Sequence, residues 1–246
     1  MSRTTVTAAV TAEQMIAEAR KAFFVMFGFL AVVWALQVAN WGSDYDLARR
    51  YAVVAGDVER LPGMLTAPFL HLSWAHIESN SGPLFVFGFL AAYRGVARFF
   101  GLTALVAVAS GLAIWFFEHD GVGTVGASGL VFGYFGYVVL RGFFDRHLID
   151  SLVGIVMGAS YAYTLTLTVP GTPGISWLAH LGGLVGGVVG AWVFRDRRTK
   201  VPATAPVPAV APAAAPGRAT PAVPDSGPAG HPRADLHKEL RDLGLL

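Results

Sequence analysis

Six apolar stretches dominate the chain, at residues 22–41, 74–93, 99–117, 126–140, 151–169 and 176–194. A helix needs about 20 mostly apolar residues to cross a bilayer, and each stretch has or approaches that length. None shows sustained period-two alternation, so the pattern does not predict strands. It predicts an all-α, polytopic membrane protein with six transmembrane helices. Residues 61–194 hold only nine charged side chains: Glu78, Arg94, Arg98, Glu118, Asp120, Arg141, Asp145, Arg146 and Asp150. The first 21 residues are polar, and the first apolar run is long enough to span, so no cleavable signal peptide is expected.

The charges between the stretches orient them. Arg20 and Lys21 precede the first, and Arg94 and Arg98 lie between the second and third. Arg141 and Arg146 follow the fourth, and Arg195, Arg197, Arg198 and Lys200 follow the sixth. The alternate connections carry Glu118 and Asp120, or no charge near 170–175; only the first loop, 42–71, mixes both signs. Positive residues accumulate on the cytoplasmic side, so both termini are expected there. Three regions follow: a polar N-terminal segment at 1–21, a six-helix membrane domain at 22–198, and a tail at 199–246. The tail holds nine of the 14 prolines in an Ala/Pro-rich run and reads as an extended, disordered linker. Its last residues, 234–246, place Leu236, Leu240 and Leu243 on one helical face. That face reads either as a frayed end or as a docking peptide for an unknown partner.

Composition narrows the function. The chain is 54% hydrophobic and 14% charged, with a mean hydropathy of +0.54. So little polar surface excludes an ordinary water-soluble enzyme. The net charge of +2 is too small to argue for nucleic acid. The absence of cysteine excludes disulfides, thiolate metal centres and a cysteine nucleophile. There is no His-Glu-x-x-His motif, and the only Gly-Asp pair, Gly56-Asp57, sits in the polar first loop. No metal or cofactor is expected.

Against this apolar background three polar elements stand out. The run His71-Leu72-Ser73-Trp74-Ala75-His76-Ile77-Glu78-Ser79-Asn80 opens the second stretch. Gly126-Ala127-Ser128-Gly129 opens the fourth, and Ala179-His180-Leu181-Gly182-Gly183 lies near the start of the sixth. Stretches 2, 4 and 6 begin on the same side, so the elements share one depth. The fourth stretch ends at Leu140 before Arg141, a span of about 22 Å, which predicts a dipping glycine-rich lead-in around Ser128 if Arg141 stays at the inner interface; the alternative is a helix that continues through Phe143-Phe144 with Arg141 snorkelling. Gly129 and Gly133 match the spacing of Gly182, Gly186 and Gly190 and of Gly183 and Gly187, so close contact between stretches 4 and 6 is expected.

Such a layer suits nucleophilic chemistry. A serine hydroxyl needs a base to take its proton, and an imidazole serves. His180 is the candidate base for Ser128, with no acid nearby in sequence. His76 and Asn80, four residues apart, share a helical face and can both donate to an oxyanion, as can the amide of Ser128. Glu78 points away from that face. Each residue alone has a plainer reading. Ser128 is also a small packing residue, His180 and Asn80 are also interhelical hydrogen-bonders, and His71 is a loop brace.

Together, the His71…His76-x-x-x-Asn80, Gly126-x-Ser128-Gly129 and His180-x-x-Gly183-x-x-x-Gly187 elements resemble the rhomboid family of intramembrane serine proteases. The resemblance covers residues 63–194, and Thr66-Ala67-Pro68-Phe69-Leu70-His71 is similar to the exit of the rhomboid first loop. It implies a rhomboid-like bundle with Ser128 as nucleophile, His180 as general base, and His76, Asn80 and the Ser128 amide as oxyanion hole. Gly126 and Gly129 would shape the serine turn, and His71 would brace the loop. Implied partners are the lipid bilayer and transmembrane protein substrates, cleaved within or beside a helix. Two departures are visible: Phe132 stands where many members stack a tyrosine on the histidine, and Glu59-Arg60-Leu61 replaces the common Trp-Arg pair. Because Ser128 and His180 are both present, an active protease is expected. The alternative is a non-catalytic rhomboid-like binder of client helices. A small transporter is the third reading, without paired midplane charges or a repeat to support it.

Overall fold

The computed structural model describes residues 12–119 and 121–196, which form a helical membrane bundle. Its helices are α1 (Ala12–Gly42), α2 (Asp46–Tyr51), α3 (Gly63–Thr66), α4 (Trp74–Ala92), α5 (Val96–Phe117), α6 (Ser128–Asp145), α7 (Leu148–Tyr161) and α8 (Trp177–Val193). Short 3-10 turns lie at Val58–Arg60 and Ala67–Phe69, and a longer one, Ala162–Thr168, continues α7. The described residues contain no strand, only an isolated antiparallel bridge between Val53 and Thr124.

The six long helices fall on the six apolar stretches, with three shifts of boundary. First, α1 begins at Ala12, inside the segment predicted as a polar N-terminus. Its first turns are rich in Ala, Glu, Gln, Met, Arg and Lys, which are strong helix formers whatever their polarity. The 31 residues of α1 run to about 46 Å, longer than a hydrocarbon core of roughly 30 Å. Second, α6 starts at Ser128 and continues past Leu140 to Asp145. The short-span expectation fails because Arg141 does not stop the helix. Its side chain is buried, paired with Asp145 at 2.8 Å and with the Tyr137 hydroxyl at 3.0 Å. Third, the fifth stretch is not a single α-helix, since α7 tightens into the 3-10 turn after Tyr161. By length and composition α1, α5 and the run Leu148–Thr168 suffice to cross a membrane, while α8 is apolar but only 17 residues long. The tail and its leucine face lie outside the described residues.

The packing centres on α6, which is buried on nearly all sides between α4, α5, α7 and α8. Its seam with α8 is built on glycine. A Cβ on Gly183 would strike the Gly129 carbonyl, and one on Gly187 would strike that of Gly133. Small residues let two backbones approach in this way, with dispersion replacing side-chain packing. The second glycine row of α8 has a different partner from the one expected: Gly182, Gly186 and Gly190 lie against Ala109, Ala113, Val106 and Leu102 of α5. The difference is angular, because rows one residue apart sit about 100° around the helix. Thr103 and Tyr134 hydroxyls join α5 to α6 at 2.7 Å.

The ends of the bundle differ. Where α5 and α8 meet the ends of α6 and α7, ion pairs gather: Arg98 with Asp196 at 2.5 Å, Arg141 with Asp145 and Asp196, and Arg94 with Asp150. At the opposite end α4, α6 and α8 all begin, beneath the first loop. That end holds His71, His76, Asn80, Ser128 and His180.

Candidate active site

Two serine caps aim the first elements. Ser73 caps α4, its Oγ accepting from the His76 amide at 3.1 Å. Ser176 caps α8, its Oγ accepting from the Ala179 amide at 3.2 Å. Each cap satisfies one of the free amides of a first helical turn and fixes where the helix begins. The caps therefore set the height of His76 and Asn80 on α4 and of His180 on α8.

The turn before Ser128 is held by the first loop. The Gly126 amide donates to the Ala67 carbonyl at 3.0 Å, and the Ala127 amide donates to His71 Nε2 at 3.3 Å. Gly126 has φ +128°, a conformation that L side chains rarely adopt, and a Cβ there would overlap the His76 ring. Glycine is thus required twice, by its dihedral and by the imidazole above it. Ser128 follows as the first residue of α6, half-buried, with its amide among those that have no partner inside the helix.

His71 is fully buried, and its carbonyl accepts from Asn40 Nδ2 at 2.8 Å. Asn40 Oδ1 in turn accepts from the Ala48 amide at 3.0 Å. Burial, and secondarily the neighbouring His76, push the His71 imidazole down to about 3 from its ordinary 6.5. The neutral ring keeps a lone pair on Nε2 for the Ala127 amide. His71 and His76 meet edge to face, with ring centroids 4.9 Å apart.

Ser128, His180, His76, Asn80 and Phe132 line one cavity of about 760 Å³, which lies among α4, α5, α6, α8 and the 3-10 turn. His180 is buried and stacks on Phe132 with centroids 4.3 Å apart and planes 15° from parallel. Its Nδ1 lies 2.9 Å from the Leu167 carbonyl. Asn80 is buried, and among the described residues its Nδ2 has no hydrogen-bond partner. Among the described residues no hydrogen bond joins Ser128 to His180. Gly129 sits one residue inside α6, against Ser110 and the seam with α8. Glu78 is exposed and absent from the cavity wall. The described residues contain no group of three His, Asp or Glu that could hold a metal ion.

Three contributors are not among the residues that the sequence pattern singled out. Ser110 of α5 donates to the Ala179 carbonyl at 2.9 Å, beside His180. Asn40 ties α1 to the loop through His71, as described above. Leu167 acts through its backbone carbonyl, which no side-chain pattern announces. Ser110 and Asn40 did carry a signal, since each is polar within an apolar helix.

A helical membrane bundle in which a half-buried serine, the buried His180, the half-buried His76 and the amide of Asn80 line one cavity defines a class of membrane protein with a built polar site. Residues 58–197 match the model of the Rhomboid domain, and the chain belongs to the rhomboid family. It is 34% identical over 183 residues to an uncharacterized protein of Mycobacterium leprae, covering 70% of this chain and 72% of that one. An uncharacterized protein of Mycobacterium tuberculosis is 35% identical over 149 residues, covering 57% of this chain. The chain spans about 62% of that relative's length. The rhomboid protease GlpG of Haemophilus influenzae is 24% identical over 200 residues, which cover 76% of this chain and 97% of GlpG.

Proposed function

We propose that this protein is an intramembrane serine endopeptidase that cleaves transmembrane segments of other membrane proteins through a Ser128–His180 dyad. The observation that carries the reading is the convergence of Ser128, His180, His76 and Asn80 on one cavity in an otherwise apolar bundle. Polar side chains at membrane depth are costly, and an amide such as Asn80 Nδ2 with no internal acceptor is a donor held for a ligand.

In this reading Ser128 Oγ gives its proton to His180 Nε2 and attacks the scissile carbonyl. The carbonyl π electrons move to oxygen, and the oxyanion is met by Asn80 Nδ2, the His76 ring and the Ser128 amide. Collapse expels the amine, which takes the proton back from His180 and leaves an acyl-serine. Water, deprotonated by the same imidazole, releases the acid and restores Ser128. Gly126 keeps the His76 ring close to the serine turn, and His71 holds that turn to the loop. Burial excludes bulk water and strengthens each polar contact.

The chain would cross the cell membrane six times, with both termini cytoplasmic by the distribution of Arg and Lys. A bacterial setting fits the mycobacterial relatives. The reaction uses no cofactor. A reconstituted model transmembrane substrate tests the proposal. Ser128→Ala and His180→Ala are each expected to lower cleavage by at least about 10²-fold, the scale of positioned base catalysis. A fluorophosphonate is expected to label Ser128 and to lose its target in Ser128→Ala. Client binding without cleavage by the wild type, across several substrates, would replace the protease with the non-catalytic binder.

A further inference from the structure

We propose that the 3-10 segment Ala162–Thr168 positions the base: the Leu167 carbonyl holds His180 through Nδ1 and selects the ring orientation and tautomer in which Nε2 is basic. This inference rests on the protease reading and adds a positioning group to the same site.

The argument begins with what fixes the His180 ring. Stacking on Phe132, at 4.3 Å and 15°, fixes the plane of the ring. It does not fix which edge points where. A half-turn about the Cβ–Cγ bond keeps the stack while exchanging Nδ1 with Cδ2 and Nε2 with Cε1. Phe132 has no hydroxyl to break that symmetry. Among the described residues no carboxylate bonds to His180, so the orienting role that an acid plays in a triad is open. The Leu167 carbonyl, 2.9 Å from Nδ1, fills it. A carbonyl only accepts, so Nδ1 carries the hydrogen and Nε2 keeps the lone pair. One backbone group thereby decides both orientation and tautomer.

The segment that supplies this carbonyl is lightly held. None of its residues is buried. It is bonded largely to itself: the hydroxyls of Thr164, Thr166 and Thr168 donate to the carbonyls of Tyr161, Tyr163 and Leu165, each at 2.7 Å. These repeated bonds, each three residues back, brace the 3-10 turn as a unit. The α7 helix that leads into it buries only Gly154. The base is therefore competent when the segment is seated on α8 and loses its orientation when the segment leaves. Tyr161, edge-on to Phe87 of α4 at 4.9 Å, marks the far border of the same unit.

Thr168→Pro and Thr168→Ala test the proposal together. Proline at 168 disfavours the helical conformation of the residue before it, which turns the Leu167 carbonyl away. Alanine removes only the hydroxyl. Nitrogen NMR of histidine-labelled protein at neutral pH is expected to show His180 protonated on Nδ1 in the wild type and Thr168→Ala, and a tautomer mixture in Thr168→Pro. Fluorophosphonate labelling of Ser128 is expected to slow by at least about tenfold in Thr168→Pro, with kcat on a model transmembrane substrate falling and KM unchanged. A folded Thr168→Pro that matches Thr168→Ala in tautomer and labelling rate overturns the proposal. So does a wild-type His180 protonated on Nε2, and this last measurement decides the matter even if Thr168→Pro does not fold. Failure of the protease reading shows separately, as a wild type whose Ser128 is never labelled whatever the tautomer of His180.

Discussion

The α6–α8 seam and the α7 region stand on either side of the same cavity and are built on opposite principles. The seam brings two backbones into contact through Gly129, Gly133, Gly183 and Gly187, and nearly every face of α6 is buried. In α7 only Gly154 is buried, and in the following 3-10 turn nothing is. Ser128 and His180 are carried on the stiff seam, yet a group that bonds the histidine comes from the loose neighbour. Packing that leaves no slack holds two side chains at a constant separation, because close-packed interiors do not deform continuously. A lightly packed element opens at little cost in free energy. The molecule combines both, so that Ser128 and His180 are held on the seam while the α7 border of the cavity is lightly packed.

The contrast can be broken most severely at the seam. Gly183→Val puts a branched side chain into the Gly129 carbonyl, and the bundle is expected to lose more than about 3 kcal/mol, beyond ordinary overpacking. Thermal unfolding in detergent and loss of Ser128 labelling would show it. Gly154→Leu is the matching insult to α7, where a Cβ meets the Val139 carbonyl. It is expected to cost about 1–3 kcal/mol and to detach α7 while the α5–α6–α8 core still melts cooperatively. If both variants melt alike, the two regions are one cooperative unit and the contrast is false. Ser110→Ala removes the side-chain donor to the Ala179 carbonyl, which keeps its helical partner within α8, and a loss of about 1 kcal/mol is expected. Ile155→Ala, on the exposed face of α7, is expected to change stability by no more than about 0.5 kcal/mol in detergent.

Acid sharpens the comparison from the loop side. His71 is held down to about 3 in the folded protein against an ordinary 6.5, so the unfolded chain takes up the proton first as pH falls. Its contribution to stability is complete above about 6.5 and is lost progressively toward 3. The melting temperature should therefore drop on acidification through this window, and His71→Gln, though less stable at neutral pH, should drop less. An identical drop in both would assign the acid sensitivity to other groups.

Much of this architecture was legible before the structure. The apolar stretches located the six long helices, since burial in lipid demands long apolar runs with internally bonded backbones. Polarity misled at Ala12 and at Arg141, because a charged residue ends a hydrophobic run without ending a helix. The candidate residues stand out for the converse reason: a serine, three histidines and an asparagine are conspicuous where almost nothing else is polar. Glycine spacing pointed correctly to a close seam with α6 but assigned one row too many to it. The row Gly182, Gly186 and Gly190 serves α5, and sequence spacing does not say which neighbour a helical face will meet.

The sequence by itself determined the class of molecule, the number of long helices, and the residue types available for chemistry, because these depend on local composition and on the bilayer's demand for apolar length. Tertiary structure alone decided which side chains share a cavity, that His71 serves the Ala127 amide, that Ser110 ties α5 to the Ala179 carbonyl, and that Leu167 faces the histidine. These contacts join residues 13 to 69 positions apart, and two of them are made to backbone carbonyls. Every residue carries such a carbonyl, so nothing in the order of side chains distinguishes the one that the fold will use.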